Sequence, residues 1–171
     1  MAVLTLYEAS DPATALRRLT DPADIALALK DMGVDFERVE ASLDPAALPL
    51  DLMAALGARY GFQTWDIVAI RPDTPGLDAL RRTFGQEHTH EDPEARLFLA
   101  GGGSFYLRDD HRVAHLACVG GDLLHIPSGL RHWYVFPEDG FQALRLFSRT
   151  SGWQARYTGD AIAEQFAGTG P

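Results

Sequence analysis

Five side chains of this 171-residue chain have the types and spacing to hold and use a metal ion: His88, His90, Glu94, Arg96 and His132. Three imidazoles and one carboxylate, His88, His90, His132 and Glu94, make a ligand set for one divalent transition metal. Nitrogen and oxygen donors without thiolate suit Fe(II), Ni(II), Mn(II), Cu(II) or Zn(II). Such a set leaves coordination positions open, and an open position is where a metal does chemistry. His88 and His90 are two apart, so on a strand both rings point the same way. Glu94 follows Asp92-Pro93, a turn that returns its carboxylate towards them. His132 must come from another strand. Pro127 and Gly129 make a sharp turn ahead of it, the first by restricting φ and the second by tolerating positive φ. His111, His115 and His125 lack such company and are read as surface or core residues.

Residues this far apart need a rigid frame. From Gly85 onward short strands alternate with Gly/Asp/Pro turns, the pattern of an antiparallel barrel or sandwich. Strands are expected at His88–His90, Glu94–Leu99, Phe105–Arg108, Val113–Val119, Leu123–Ile126, Trp133–Phe136 and Gln142–Phe147. Gly101-Gly102-Gly103 is taken as a turn between two of them. The first 84 residues read as helix-rich. One helix starts at Asp21-Pro22 and stops at Gly33, a second covers Asp51–Tyr60 and stops at Gly61, and a third covers Leu77–Phe84. Val34–Val39 and Trp65–Ile70 read as strands, and a short last helix follows Gly159-Asp160 in a C-terminal tail over 151–171.

Alternation along the strand after Glu94 allows two readings. Glu94, Arg96 and Phe98 share one face and Ala95, Leu97 and Leu99 the other. Either the charged face is a solvated edge, or it lines a polar interior while something apolar, such as the N-terminal helices, covers the aliphatic side. Arg145 stands in the same way between Ala143 and Phe147.

The net charge of −9 disfavours nucleic acid and anionic membranes as partners. The single cysteine, Cys118, rules out an intramolecular disulfide, and the N-terminus lacks the basic and apolar regions of a secretion signal. No apolar run approaches the about 20 residues of a membrane span. A cytoplasmic, monomeric protein that handles a small molecule is expected.

Two phrases, His88-x-His90-x3-Glu94-x6-Gly101 and Gly121-x5-Pro127-x-Gly129-x2-His132, resemble the paired motifs of the cupin superfamily. More specific stretches narrow the resemblance to the acireductone dioxygenase family. These are Gly61 to Val68, Phe84 to His90, Glu94-Ala95-Arg96, His132-Trp133-Tyr134, and Ser151-Gly152-Trp153 through Tyr157 to Asp160. The resemblance runs over nearly the whole chain. It implies a single cupin domain over 1–171: an antiparallel barrel of the jelly-roll kind over 85–150, with N-terminal helices packed outside. It also implies one Fe(II) or Ni(II) per chain and oxidation of 1,2-dihydroxy-3-keto-5-methylthiopentene by O2 in methionine salvage. By the same resemblance, iron gives formate and 2-keto-4-methylthiobutyrate, whereas nickel gives formate, carbon monoxide and methylthiopropionate.

Charge arithmetic agrees with this. A divalent metal with three neutral imidazoles and Glu94 carries about +1, a substrate dianion makes it about −1, and Arg96 restores about zero. Arg96 is therefore the expected catalytic residue, favouring the dianion through charge-assisted hydrogen bonds. The apolar tail wants an apolar wall, for which Phe84, Phe98, Tyr134 and Phe147 are candidates, with Arg145 nearby. Tyr134 shares parity with His132 and is expected to bring a hydroxyl near the metal. Two other readings remain: a cupin oxygenase acting on a different enediol, and a metal- or ligand-binding cupin without activity. Arg96 beside the ligands argues against the second.

Overall fold

The computed structural model describes residues 1–40, 43, 44, 46–149 and 154–169. Eleven strands, all paired antiparallel, form two sheets that share one long strand, β6 (Glu94–Arg108). The first sheet runs β2 (Asp11–Leu19), β1 (Val3–Glu8), β7 (Arg112–Val119), β6, β9 (Arg131–Val135), β5 (His88–Thr89), β11 (Arg156–Tyr157). The second runs β4 (Thr64–Ile70), β10 (Phe141–Phe147), β6, β8 (Asp122–Ile126), β3 (Asp35–Arg38). Among the described residues no pairing joins the outer edges of the two sheets. The expected barrel is thus an open jelly-roll sandwich, closed by packing and not by a ring of hydrogen bonds.

The β6 strand corrects one expectation. Gly101-Gly102-Gly103 is not a turn; the strand continues through it and changes sheets. Residues before the glycines pair with β8 and β10, and residues after them pair with β7 and β9. A bulge opposite Gln142 and Ala143, with Gly101 at φ +68°, turns the corner. A Cβ on Gly102 would lie 2.0 Å from the Cys118 carbonyl oxygen, so the neighbouring strand approaches too closely for any side chain.

The N-terminal part also differs from the helix-rich reading. Its helices α1 (Pro22–Lys30), α2 (Leu50–Tyr60) and α3 (Leu77–Phe84) are present near the expected positions, and Asp21 caps α1 through Ala23 and Asp24 N–H groups. It also contributes four strands, including the unexpected hairpin β1–β2. Because β1 pairs with β7, β3 with β8 and β4 with β10, residues 1–84 are woven into both sheets.

Three apolar clusters explain the layers. Phe98, Leu124, Ile126, Phe141 and Ala143 of one sheet meet Leu4, Phe105, Leu107, Leu116 and Tyr134 of the other between the sheets. Ala95, Leu97, Leu99, Leu144 and Leu146 face outward and are covered by Leu52, Met53 and Leu56 of α2. The aliphatic face of β6 is therefore the outer one, and Glu94 and Arg96 point between the sheets. The third cluster closes the outer face of the first sheet with Ile162 and Phe166, on and next to α4 (Ile162–Gln165).

Candidate metal centre

His88 on β5 pairs directly with His132 on β9, so two imidazoles lie side by side across one ladder step. His90 follows just beyond β5. Together the three histidines place one ring nitrogen each within 4.8 Å of one another, all three buried. Each ring is aimed by a backbone carbonyl through Nδ1: His88 to Gln86 O at 2.7 Å, His90 to Gln154 O at 3.1 Å, His132 to Leu130 O at 2.9 Å. A carbonyl oxygen only accepts, so Nδ1 carries the proton and Nε2 keeps its lone pair for a metal. The His132 Nε2 is buried with no hydrogen-bond partner among the described residues. An orphaned acceptor at the meeting point of three imidazoles fits a divalent cation.

Glu94 adjoins this trio without being part of it: its Oε2 lies 3.2 Å from His90 Nε2 and 3.9 Å from His132 Nε2. Its Oε1 accepts a hydrogen bond from Arg96 Nη2 at 2.6 Å. Burial by itself would raise the Glu94 carboxyl. The Arg96 guanidinium and the His90 imidazole outweigh it and hold the group well below the usual carboxylate range. Burial pushes His132 down to about 3 and also lowers His88, which keeps both rings neutral. Burial pulls His90 the same way, but the Glu94 carboxylate beside it wins and raises it.

Arg96 is 5% exposed, with its guanidinium 5.0 Å from the ring centres of both Phe105 and Tyr134. Nη2 serves Glu94. Nε and Nη1 are buried and have no partner among the described residues. Unpaired buried donors are costly, so this arrangement invites acceptor oxygens.

A cavity of about 490 Å³ opens over these groups. His88, His90, Glu94, Arg96 and His132 line it together with Phe84, Tyr134, Arg145 and Phe147. Two expectations need correction. Phe98 is not on the wall; it is fully buried behind it, between Phe105, Tyr134 and Phe141. The Tyr134 hydroxyl does not approach the histidines, because it donates to Gly102 O at 3.0 Å and leaves only the ring facing inward. A Cβ on Gly103 would lie 2.3 Å from that hydroxyl, so this packing requires glycine there.

Several wall residues were not expected. Phe105 reaches the cavity because the switch of sheets places the second half of β6 across from Arg96. Gln154, Ala155 and Tyr157 reach it through the two-residue pairing of β11 with β5, for which a short polar segment carries no pattern. The buried carboxylate of Glu87 anchors this segment. It accepts from Arg108 Nη1 at 3.0 Å and Thr158 Oγ1 at 2.8 Å, and the Glu87 carbonyl accepts from Thr158 N at 3.1 Å. The stretch Ser151-Gly152-Trp153 lies outside the described residues. His115 and His125 are remote from the trio, stacked on Tyr106 and Tyr60 respectively.

A sequence model of the ARD/ARD′ family matches residues 4–155. The acireductone dioxygenase of Granulibacter bethesdensis is 43% identical, with 97% of this chain and 98% of that protein covered. The acireductone dioxygenase of Parvibaculum lavamentivorans is 40% identical over 97% of this chain and 96% of its own length. Among solved structures, the acireductone dioxygenase from Bacillus anthracis, with a cadmium ion in its active centre, superposes with a TM-score of 0.78 at 26% identity, covering 92% of this chain and 98% of that one. With a family model matched over residues 4–155, relatives of about 40% identity over nearly its whole length and a solved structure of the same fold, the chain belongs to the ARD/ARD′ family.

Proposed function

We propose that this protein is an acireductone dioxygenase that cleaves 1,2-dihydroxy-3-keto-5-methylthiopentene with O2, as in methionine salvage. The observation that carries the reading is the pairing of two kinds of unsatisfied group at one cavity: an orphaned imidazole nitrogen within a histidine trio, and the two free donors of Arg96. His88, His90, Glu94 and His132 would hold one Fe(II) or Ni(II). Such an ion, when bound, supplies Lewis acidity that favours ionised substrate oxygens.

The chain's own residues do the rest. The three backbone carbonyls on Nδ1 hold each imidazole in the ligating tautomer before anything binds. Glu94 is ionised because Arg96 and His90 flank it, so the site carries a negative ligand from the start. Arg96 packs against the rings of Phe105 and Tyr134 with one arm on Glu94, which leaves Nε–H and Nη1–H for the substrate's oxygens. Charge-assisted bonds there favour the dianion over the monoanion. Phe84, Phe105, Tyr134, Phe147 and Tyr157 exclude water and wall the apolar tail. The protein acts as a single-domain cytoplasmic monomer on a small molecule, without nucleic acid or membrane; among the described residues no helix is long and apolar enough to cross a membrane.

Anaerobic reconstitution with Fe(II) or Ni(II), followed by product analysis, tests this. The iron form should give formate and 2-keto-4-methylthiobutyrate, and the nickel form formate, carbon monoxide and methylthiopropionate. Absence of O2 uptake with both metals would favour a ligand-binding protein instead.

A further inference from the structure

The outer part of the cavity holds a second arginine that the chemistry above does not use. Arg145 on β10 stands directly opposite Arg96 on β6, and directly opposite Asp66 on β4. The three side chains form one row across three strands on the same face. Arg145 is on the cavity wall with its guanidinium 5.7 Å from the Phe147 ring, whereas Asp66 stands behind it, away from the wall. The two form a two-pronged pair: Nε to Oδ1 at 2.9 Å and Nη2 to Oδ2 at 2.6 Å.

Two arginines face one cavity under different terms. Arg96 spends one arm on Glu94, and its Nε and Nη1 have no partner among the described residues. Arg145 has its charge matched by a carboxylate outside the cavity. A free guanidinium in this wall would draw an anion; a matched one presents no net charge and offers its aliphatic stem and planar face. A tail that ends in a carboxylate would lose its water here and find no free counter-charge.

We infer that the Asp66–Arg145 pair sets the tail specificity of the site: by masking Arg145, Asp66 restricts the cavity to acireductones with uncharged tails. The inference rests on the dioxygenase reading for the identity of the reacting end. Its competitor is purely structural. Arginines directly opposed on one face repel, and Asp66 would then serve only to relieve that strain.

Asp66→Asn separates the two, because the Asp66 side chain is 53% exposed and the change preserves its shape. The wild type, D66N and the double variant D66N/R145Q are loaded with Fe(II). Each is assayed with the methylthio-tailed acireductone and with an analogue of equal length ending in a carboxylate. The kcat/KM ratio should move about fivefold or more towards the carboxylate tail in D66N, the size expected for unmasking one partly exposed charge. It should return close to the wild-type ratio in D66N/R145Q, where the unmasked cation is gone. Anaerobic calorimetry on the zinc-loaded proteins should show the same shift in Kd. A ratio unchanged in D66N, or a shift that survives in the double variant, overturns the inference. Loss of the dioxygenase reading would show differently, as no O2 uptake by the wild type. The calorimetric comparison needs no turnover and would still decide the tail preference.

Discussion

Buried histidines in this chain are built in two opposite ways. His88, His90 and His132 have Nδ1 tied to a backbone carbonyl and Nε2 turned towards a common point. His115, on the outer face of the first sheet, has Nε2 bonded to Ser104 Oγ at 2.8 Å and Nδ1 left over. Its ring lies parallel to Tyr106 at 4.4 Å, and Tyr106 lies parallel to Trp133 at 4.9 Å. Both kinds are buried, so burial does not make a ligand. The difference is whether the ring's free nitrogens converge. In the trio the backbone aims three rings at one point; at His115 aromatic packing uses the ring as a plate.

The largest test of this contrast removes a member of the trio. His90→Ala should take the metal content from about one per chain to nearly none, whereas His115→Gln should leave it intact; metal analysis after anaerobic loading and desalting reads both. Retained stoichiometric metal in the first variant would take His90 out of the ligand set.

Next in size is the partner that is not a ligand. Arg96→Ala should keep metal and fold while turnover falls about 10²- to 10³-fold, the range for loss of a preorganised donor to developing charge. Steady-state O2 uptake alongside metal analysis checks it, and unchanged rate constants would end the proposed role.

A structural test comes third. Gly102→Ala places a methyl against the Cys118 carbonyl, backbone that cannot swing aside. A loss of about 3 kcal/mol is expected, the upper range for overpacking, measured by urea unfolding of the metal-free protein. A neutral result would mean that the sheet corner is softer than its packing indicates.

The smallest effect concerns pH. Burial pushes His115 from its ordinary value of 6.5 down to about 4. The unfolded chain therefore takes up a proton before the folded one does, and stability falls as pH drops from about 6.5 towards 4. In metal-free protein, His115→Gln should flatten that part of the stability profile by on the order of 1–2 kcal/mol. A slope unaltered by the substitution would show that other groups account for it.

The strands that carry the site were legible because their residues obey strong local rules. His88 and His90 share parity, the Pro127–Gly129 turn announces His132, and the aliphatic face of β6 has a helix over it, as alternation permits. The β1–β2 hairpin was not legible. Most of β2 is exposed at a sheet edge, so its side chains have no inside and outside to alternate between, and backbone hydrogen bonds to β1 hold it. The three glycines misled for a related reason. Glycine marks a turn and a close approach alike, and only the neighbouring strand shows which.

By itself the sequence pointed to the candidate donor set and the guanidinium beside it and identified the family, because each depends on residue type and short spacing along a strand. The tertiary structure alone decided which atoms are left unsatisfied and where they point. Phe98 went to the core and Phe105 to the cavity, the Tyr134 hydroxyl turned to Gly102, and Asp66 came to stand behind Arg145. Each of these depends on pairings between strands far apart in the chain, whose register is set by the packing of whole sheets and leaves no local signature.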